Sequence, residues 1–377
     1  MDLIKVLFFD QSARMGGAEK VLFDLLENIN RSKIYPILVS PSGELANKVR
    51  GLNIECIELM EFENVETTRK RMRIRDIFKT IKLVYKLNNI INDVQPDILF
   101  TNSVKAHVLV NYKKRRIPSI IRLHDYPSSF GSISVKILKN ALNNVDKISC
   151  VSQSVANDLG KLFPNCIDKL KVTYNGIYKK TNNCKKHFKK PRVVVAGWLF
   201  SWKGFDTFIE AMEKLSPKIP DWEFVIAGEA ARDVEESLSY KELLYKRVNS
   251  SLYKEKFVLN GGYKSLEEII CCSEHCIFVQ PSIKPDPLPT VILEASTLAV
   301  PTVASDLGGS KEIIEDMVSG RLISPHADEL ANSVMELVSD LNLRVKYGNK
   351  MNFECNRKFS MENYIRSITE TIENIIR

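Results

Sequence analysis

Hydrophobic positions along the chain fall into two alternating patterns. Short runs of Val, Ile, Leu and Phe, apolar at nearly every position, alternate with longer stretches in which apolar residues return every three or four positions. Runs of the first kind predict strands buried on both faces, and stretches of the second predict amphipathic helices. Together they form βαβ units around a parallel sheet. In the first half the predicted strands are 4–9, 35–39, 98–101, 119–123 and 147–151, with helices at 18–30, 74–92 and 132–143. A polar, basic segment, 179–191, then lacks apolar periodicity and reads as a linker. The alternation restarts beyond it, with strands 192–196, 223–227, 256–259, 276–280 and 301–304. Helices at 205–215, 266–272, 289–298, 311–316 and 329–340 fill the gaps.

The expected fold is therefore α/β, with two Rossmann-like domains and a cleft between them. The domains are 1–178 and 192–360, joined by the linker 179–191, and a last helix, 361–377, either caps the second or crosses back to the first. In sheets of this kind ligands sit beyond the carboxyl ends of the strands. Two such edges facing one another form the default ligand site.

Composition narrows the class. A chain of 377 residues with 44% hydrophobic and 27% charged residues is ordinary for globular domains and too long for one core. No apolar run reaches the roughly 18–20 residues that span a bilayer. The first ten residues carry acids at Asp2 and Asp10 around a short apolar run, which suits a buried strand of a cytosolic protein better than a signal peptide. Eight scattered cysteines without a Cys-x2-Cys pair read as reduced thiols rather than as a zinc site or disulfide framework. The net charge of +8 gathers in 69–86, 113–116 and 179–190. The first of these stretches interleaves bases with Ile77, Phe78, Ile81 and Tyr85. It is either a helix lying on an anionic membrane surface or a core helix with a basic outer face. No recognition motif for nucleic acid accompanies the bases.

Five segments carry candidate chemistry. Gly16-Gly17 follows the first strand and opens a helix, where glycines admit a ligand close to the backbone and free amides favour an anion. A tight strand–helix turn would look the same. His124 ends a strand and faces the crevice, where it would bond a sugar hydroxyl, steady developing charge, or serve the structure alone as a lone histidine more often does. Lys203, between a strand end and a helix start, suits a diphosphate. The run from Pro281 to Ala295 puts prolines before a helix whose first amides, near Thr290 and Val291, offer a phosphate site. Asp286 and Glu294, eight positions apart, would lie roughly 12 Å apart along that helix, comparable to the span from hexose to ribose in a nucleotide sugar. Finally, Gly308-Gly309 shapes a turn after the strand 301–304.

Taken together, these segments resemble the retaining GT-B glycosyltransferases of family 4. The resemblance covers nearly the whole chain and is densest from Val279 to Ser324. The family's Glu-x7-Glu element appears as Asp286-x7-Glu294, its Pro-Val-Val-Ala-Thr-like strand as Pro301-Thr302-Val303-Ala304-Ser305, and its Gly-Gly-x-x-Glu turn as Gly308-Gly309-Ser310-Lys311-Glu312. Ser319-Gly320-Arg321-Leu322 is similar to its Asn-Gly-hydrophobic segment.

By resemblance, Glu294 binds the donor ribose, Asp286 sits by the donor hexose and Lys203 binds the diphosphate. Leu288, Thr290 and Val291 complete the donor pocket. Gly16 and Gly17 form a loop near the phosphates and acceptor, and His124 touches the donor sugar near the reacting carbon. The implied reaction is transfer of a sugar from a nucleotide-sugar donor to a glycan or lipid-linked acceptor, the latter bound by the first domain. No Asp-x-Asp metal motif lies at a strand end, so no metal or other cofactor is expected.

Two departures stand out. Trp198 replaces the family's Arg beside Gly197, leaving Arg232 or another nearby base to substitute. Asp286 is one methylene shorter than Glu, and Pro289 lacks an N–H where a family Gly often has one. The Asp-Pro-Leu-Pro-Thr form is similar to members that build bacterial surface polysaccharide such as O-antigen or capsule. That places the protein in the cytoplasm, peripheral to the inner face of the cell membrane. A nucleotide-sugar epimerase of the same fold and a non-catalytic nucleotide-sugar-binding partner are the alternatives.

Overall fold

In the computed structural model the described residues are 3–60, 74–111, 115–179, 188–231 and 234–376. The chain divides into two units. The first runs to Gly176 and takes back the chain from Met361, and the second is Ile177–Ser360.

The first unit is built on seven parallel strands: β1 (Ile4–Phe9), β2 (Ile34–Ser40), β3 (Glu55–Glu58), β4 (Ile98–Thr101), β5 (Ser119–Leu123), β6 (Lys147–Cys150) and β7 (Leu170–Val172). Their order is β3-β2-β1-β4-β5-β6-β7. The connecting helices are α1 (Gly17–Asn28), α2 (Glu44–Gly51), α3 (Ile74–Val94), α4 (Val104–Val110), α5 (Ser132–Asn143) and α6 (Gln153–Leu162). In β1, Val6, Leu7, Phe8 and Phe9 are all inaccessible to solvent. Alternate residues therefore enter opposite layers, which is why the run is apolar throughout. Val6 and Phe8 join α1 and α2, while Leu7 and Phe9 join α3 and α4.

The second unit repeats the plan with six parallel strands: β8 (Arg192–Ala196), β9 (Glu223–Ala227), β10 (Phe257–Leu259), β11 (Cys276–Gln280), β12 (Thr302–Ser305) and β13 (Arg321–Ile323). Their order is β10-β9-β8-β11-β12-β13. Its helices are α7 (Phe205–Leu215), α8 (Glu235–Asn249), α9 (Thr290–Thr297), α10 (Ser310–Ile313), α11 (Ala327–Ser339) and α12 (Leu341–Lys358). In each unit the strand order reverses around the first strand, β1 or β8. That puts the switch-point crevice at the loops after β1 and β4 in one unit and after β8 and β11 in the other.

The last helix, α13 (Met361–Ile376), belongs to the first unit. Tyr364, Ile368 and Ile372 fill the layer made by α1 and α2. Beneath it the wholly buried Arg122 donates to Ser149 Oγ and Asn175 Oδ1, each at 2.7 Å, with its guanidinium carbon 5.1 Å from the Tyr364 ring centre.

Three expectations need correction. The helix expected at 266–272 is a single 3-10 turn, Leu266–Glu268. The helical ladder does not continue beyond it, because Cys271 N donates to Cys276 Sγ at 3.3 Å and not to a carbonyl one turn earlier. The helix expected at 311–316 stops as α10, because Glu315 N donates to Ser319 Oγ at 3.0 Å and leaves the helical ladder. Asp286 and Glu294 do not share a helix. α9 begins at Thr290, so Asp286 lies in the loop before it and the helical-rise estimate of their spacing does not apply. Most of the linker 179–191, the bases of 69–73 and Arg232 lie outside the described residues. The seven cysteines among the described residues are all free thiols.

Candidate active site

In the second unit the loops after β8, β11 and β12 lock onto one another. Gly204 closes the 3-10 turn Ser201–Lys203 in the left-handed conformation, φ +78°. A Cβ there would lie 1.9 Å from the Pro281 carbonyl oxygen at the end of β11. The same two loops are joined where Ile283 N donates to Trp202 O at 2.9 Å. Across to β12, Gly309 N donates to the backbone oxygen of Asp286 at 2.8 Å.

This clamp sets the Lys203 ammonium against the Asp286 carboxylate, Nζ to Oδ2 2.5 Å, and 4.2 Å from the Trp202 ring centre. Asp286 is 7% exposed and the Lys203 side chain 20%. Pro289 caps α9, and the first-turn amides at Thr290 and Val291 have no acceptor within the helix. Leu288 packs into the interior, while Thr290, Val291 and Glu294 are half-buried. Burial and then the charge of Glu294 raise the Tyr263 phenol pKa, which places that ring near Glu294. Trp198 is 45% exposed. A cation held by a carboxylate beside a helix N-terminus suits a phosphate-bearing ligand.

In the first unit the carboxyl edge brings together groups from three strands. Gly16 caps α1, and its N–H donates to Glu19 Oε2 at 2.9 Å. A Cβ on Gly17 would meet nothing within 4 Å. Asp10, directly after β1, is 1% exposed and accepts from Asn102 Nδ2 at 2.7 Å and Ser12 N at 2.8 Å. Burial and the nearby Glu19 carboxylate push its pKa up to about 7. His124, one residue past β5, sets Nε2 3.0 Å from Asn102 Oδ1. Burial, and secondarily the Arg122 cation, push the His124 pKa down to about 3, so its ring is neutral.

Sequence reasoning named His124 and the glycines at this edge and did not name Asp10 or Asn102, nor Tyr263 in the second unit. The signal for the first two was a polar residue immediately following an apolar strand, in Phe9-Asp10 and Thr101-Asn102. Among the described residues there is no cluster of His, Cys, Asp or Glu suited to a metal ion.

Two parallel α/β sheets of this topology are the GT-B plan of glycosyl-transferring enzymes. HepE of Anabaena, solved with UDP, is similar with a TM-score of 0.81 at 21% identity, covering 98% of this chain and all of that one. The family models for glycosyltransferase family 4 and for group 1 glycosyl transferases match residues 15–179 and 179–352. An uncharacterized glycosyltransferase of Methanocaldococcus jannaschii is 26% identical over 270 residues, 70% of each chain. The alpha-D-kanosaminyltransferase of Streptomyces kanamyceticus is 31% identical over 158 residues, 41% of this chain and 38% of its own length. The chain belongs to glycosyltransferase family 4, whose members are retaining enzymes that transfer glycosyl groups.

Proposed function

We propose that the protein transfers a hexose or related sugar from a UDP-sugar to a glycan or lipid-linked acceptor during bacterial surface-polysaccharide assembly. The observation that carries this reading is the Lys203–Asp286 pair beside the N-terminus of α9. It offers a cation and backbone amides to a diphosphate. Uridine is the base because HepE was solved with UDP and with UDP-glucose. Family membership sets aside the epimerase and the non-catalytic partner.

The acceptor hydroxyl attacks the anomeric carbon as the nucleoside diphosphate leaves, through an oxocarbenium-like transition state. Negative charge grows on the leaving diphosphate. Lys203 and the amides of Thr290 and Val291 stabilise it without reorganising. Glu294 holds the ribose hydroxyls and Asp286 a hydroxyl of the hexose; in the first unit, taken by itself, Gly16 and Gly17 leave the start of α1 open to a ligand.

Thermal shift with UDP-, GDP-, dTDP- and CMP-sugars tests the donor. At a ligand concentration about a hundred times Kd, linkage adds about 2.7 kcal/mol to stability. UDP-sugars are expected to raise the melting temperature of the wild type and to lose that effect with Glu294→Ala. A response to another nucleotide class, or an undiminished response in the variant, overturns the assignment.

A lipid-linked acceptor calls for a membrane-facing surface, and the layer of α3, α4 and α5 supplies one. These helices pack side by side. Leu83, Leu87 and Ile91 of α3 face the core, whereas Ile81 and Tyr85 are exposed beside Lys82. On α5, Ile133 and Ile137 are exposed beside Lys136 and Lys139. Each lysine near an anionic surface contributes about 1 kcal/mol. Replacing Lys136 and Lys139 with Glu is therefore expected to weaken co-sedimentation with anionic vesicles at least tenfold. Unchanged binding would sink the membrane assignment of this face. Among the described residues no helix is long and apolar enough to cross a membrane.

A further inference from the structure

Asn102 makes three contacts that together decide where a proton sits. Its Nδ2 donates to Asp10 Oδ2 at 2.7 Å and to the backbone oxygen of Ala18 at 3.1 Å, and its Oδ1 lies 3.0 Å from His124 Nε2. A carbonyl has no hydrogen to give, so the NH2 group must face Ala18, and the carboxamide oxygen is left against the histidine. That oxygen only accepts, so the proton of a neutral ring must be on Nε2. Asp10 takes the second hydrogen of that NH2 group and clamps the carboxamide in the orientation that the Ala18 carbonyl requires.

Neither partner of the histidine can swing away. Asn102 and Asp10 are each 1% exposed. The backbone N–H of Asn102 donates to Phe9 O at 2.9 Å, tying the end of β4 to the end of β1. The carboxylate of Asp10 is held from its other side by Ser12 N at 2.8 Å.

We propose that Asp10 and Asn102 are positioning residues that hold His124 as the neutral, Nε2-protonated tautomer and so present Nδ1 as a hydrogen-bond acceptor to a hydroxyl of bound carbohydrate. This rests on the reading of His124 as a sugar contact. Among the described residues no group bonds Nδ1. Burial keeps the ring unprotonated, and Arg122 adds to that from two residues away. The charge of Arg122 is itself fixed in place by Ser149 and Asn175. An imidazolium would carry a hydrogen on both nitrogens and could not accept. With a pKa of about 3 the ring is too weak a base to remove a proton at neutral pH, so its part is to orient a hydroxyl.

The test is the nitrogen NMR spectrum of the full chain labelled with 15N-histidine, the His124 ring being assigned by its disappearance in His124→Gln. Wild type is expected to show a protonated Nε2 and a bare Nδ1, unchanged from about pH 5 to pH 8. In Asn102→Ala the ring is expected to become a mixture of tautomers. Transfer should fall about 10–100-fold, the size of effect known for removing the partner that orients a metal-bound histidine. Asn102→Asp keeps the side-chain shape and sets a carboxylate against Nε2. The new carboxyl also meets Asp10 Oδ2 where the amide nitrogen had donated, so the two acids share one proton and their remaining charge is expected to raise the pKa of the ring, with a similar loss falling on kcat more than on donor KM. A proton on Nδ1 in the wild type, a ring titrating between about pH 5 and pH 8, or ring shifts unmoved by both Asn102 variants would each overturn the proposal. The expected spectra combined with full transfer by His124→Gln would overturn instead the reading of His124 as a sugar contact.

Discussion

Replacing Lys203 with alanine is expected to lower the rate of glycosyl transfer by about 10²–10³-fold, the cost typical of removing one preorganised donor from a charge-developing site. The loss should fall mainly on kcat, because the diphosphate gains charge as the bond to the sugar breaks. The ammonium is not free to wander. The Asp286 carboxylate at 2.5 Å and the Trp202 ring at 4.2 Å hold it in place. Its backbone is tied by the Phe200 carbonyl, which accepts from Lys203 N at 3.0 Å. Preorganisation of this kind separates Lys203 from a surface lysine, whose removal would change little. Lys203→Arg restores charge but not shape, and is expected to recover part of the loss. Steady-state rates with a UDP-sugar donor decide the matter. A rate within threefold of wild type, roughly 0.7 kcal/mol, would remove Lys203 from the reaction.

The second large effect is on folding. Gly204→Val is expected to destabilise the second unit by roughly 3–5 kcal/mol, in the range reserved for named structural faults. Two costs coincide. The backbone is left-handed at φ +78°, a conformation that penalises a β-branched side chain. The new Cβ would also fall 1.9 Å from the Pro281 oxygen, a backbone atom held at the end of β11. Gly17→Ala provides the contrast. Its Cβ would meet nothing within 4 Å, and its backbone is already helical in α1. Its stability change should stay within about 1 kcal/mol. Urea midpoints for the two variants test the pair of predictions. Equal midpoints would mean that the clamp between the loops after β8 and β11 contributes nothing to stability.

Much of the fold is legible because buried strands of a parallel sheet announce themselves. β1, β8 and β11 are apolar runs that need no context. The edge strands β3 and β7 escape notice for the opposite reason. They are short and only partly buried, so Glu55–Glu58 and Leu170–Val172 carry no continuous apolar signal. α12 is hidden by Gly348, which reads as a helix breaker. A Cβ at that position would lie 1.9 Å from the Ala299 oxygen, so the glycine lets the helix approach the end of α9. At the candidate site, the residues named by motif, Lys203 and Asp286, do come together, and Glu294 lies on the helix that follows. Asp10 and Asn102 could not be found by motif. Their importance lies in a hydrogen bond spanning 92 positions of sequence, which only the strand order β1-β4 brings about.

α13 makes the order of synthesis differ from the order of completion. The bulk of the first unit is made before the second, yet the apolar layer over α1 and α2 has no Ile368 or Ile372 to cover it until synthesis has passed the second unit. The second unit, uninterrupted in sequence, has all its residues available earlier. A nascent chain therefore carries an unfinished hydrophobic layer throughout elongation, the condition in which growing chains aggregate or recruit chaperones. A truncation between Ser360 and Ile368 would, on the same logic, damage the unit whose other residues all precede Ile177.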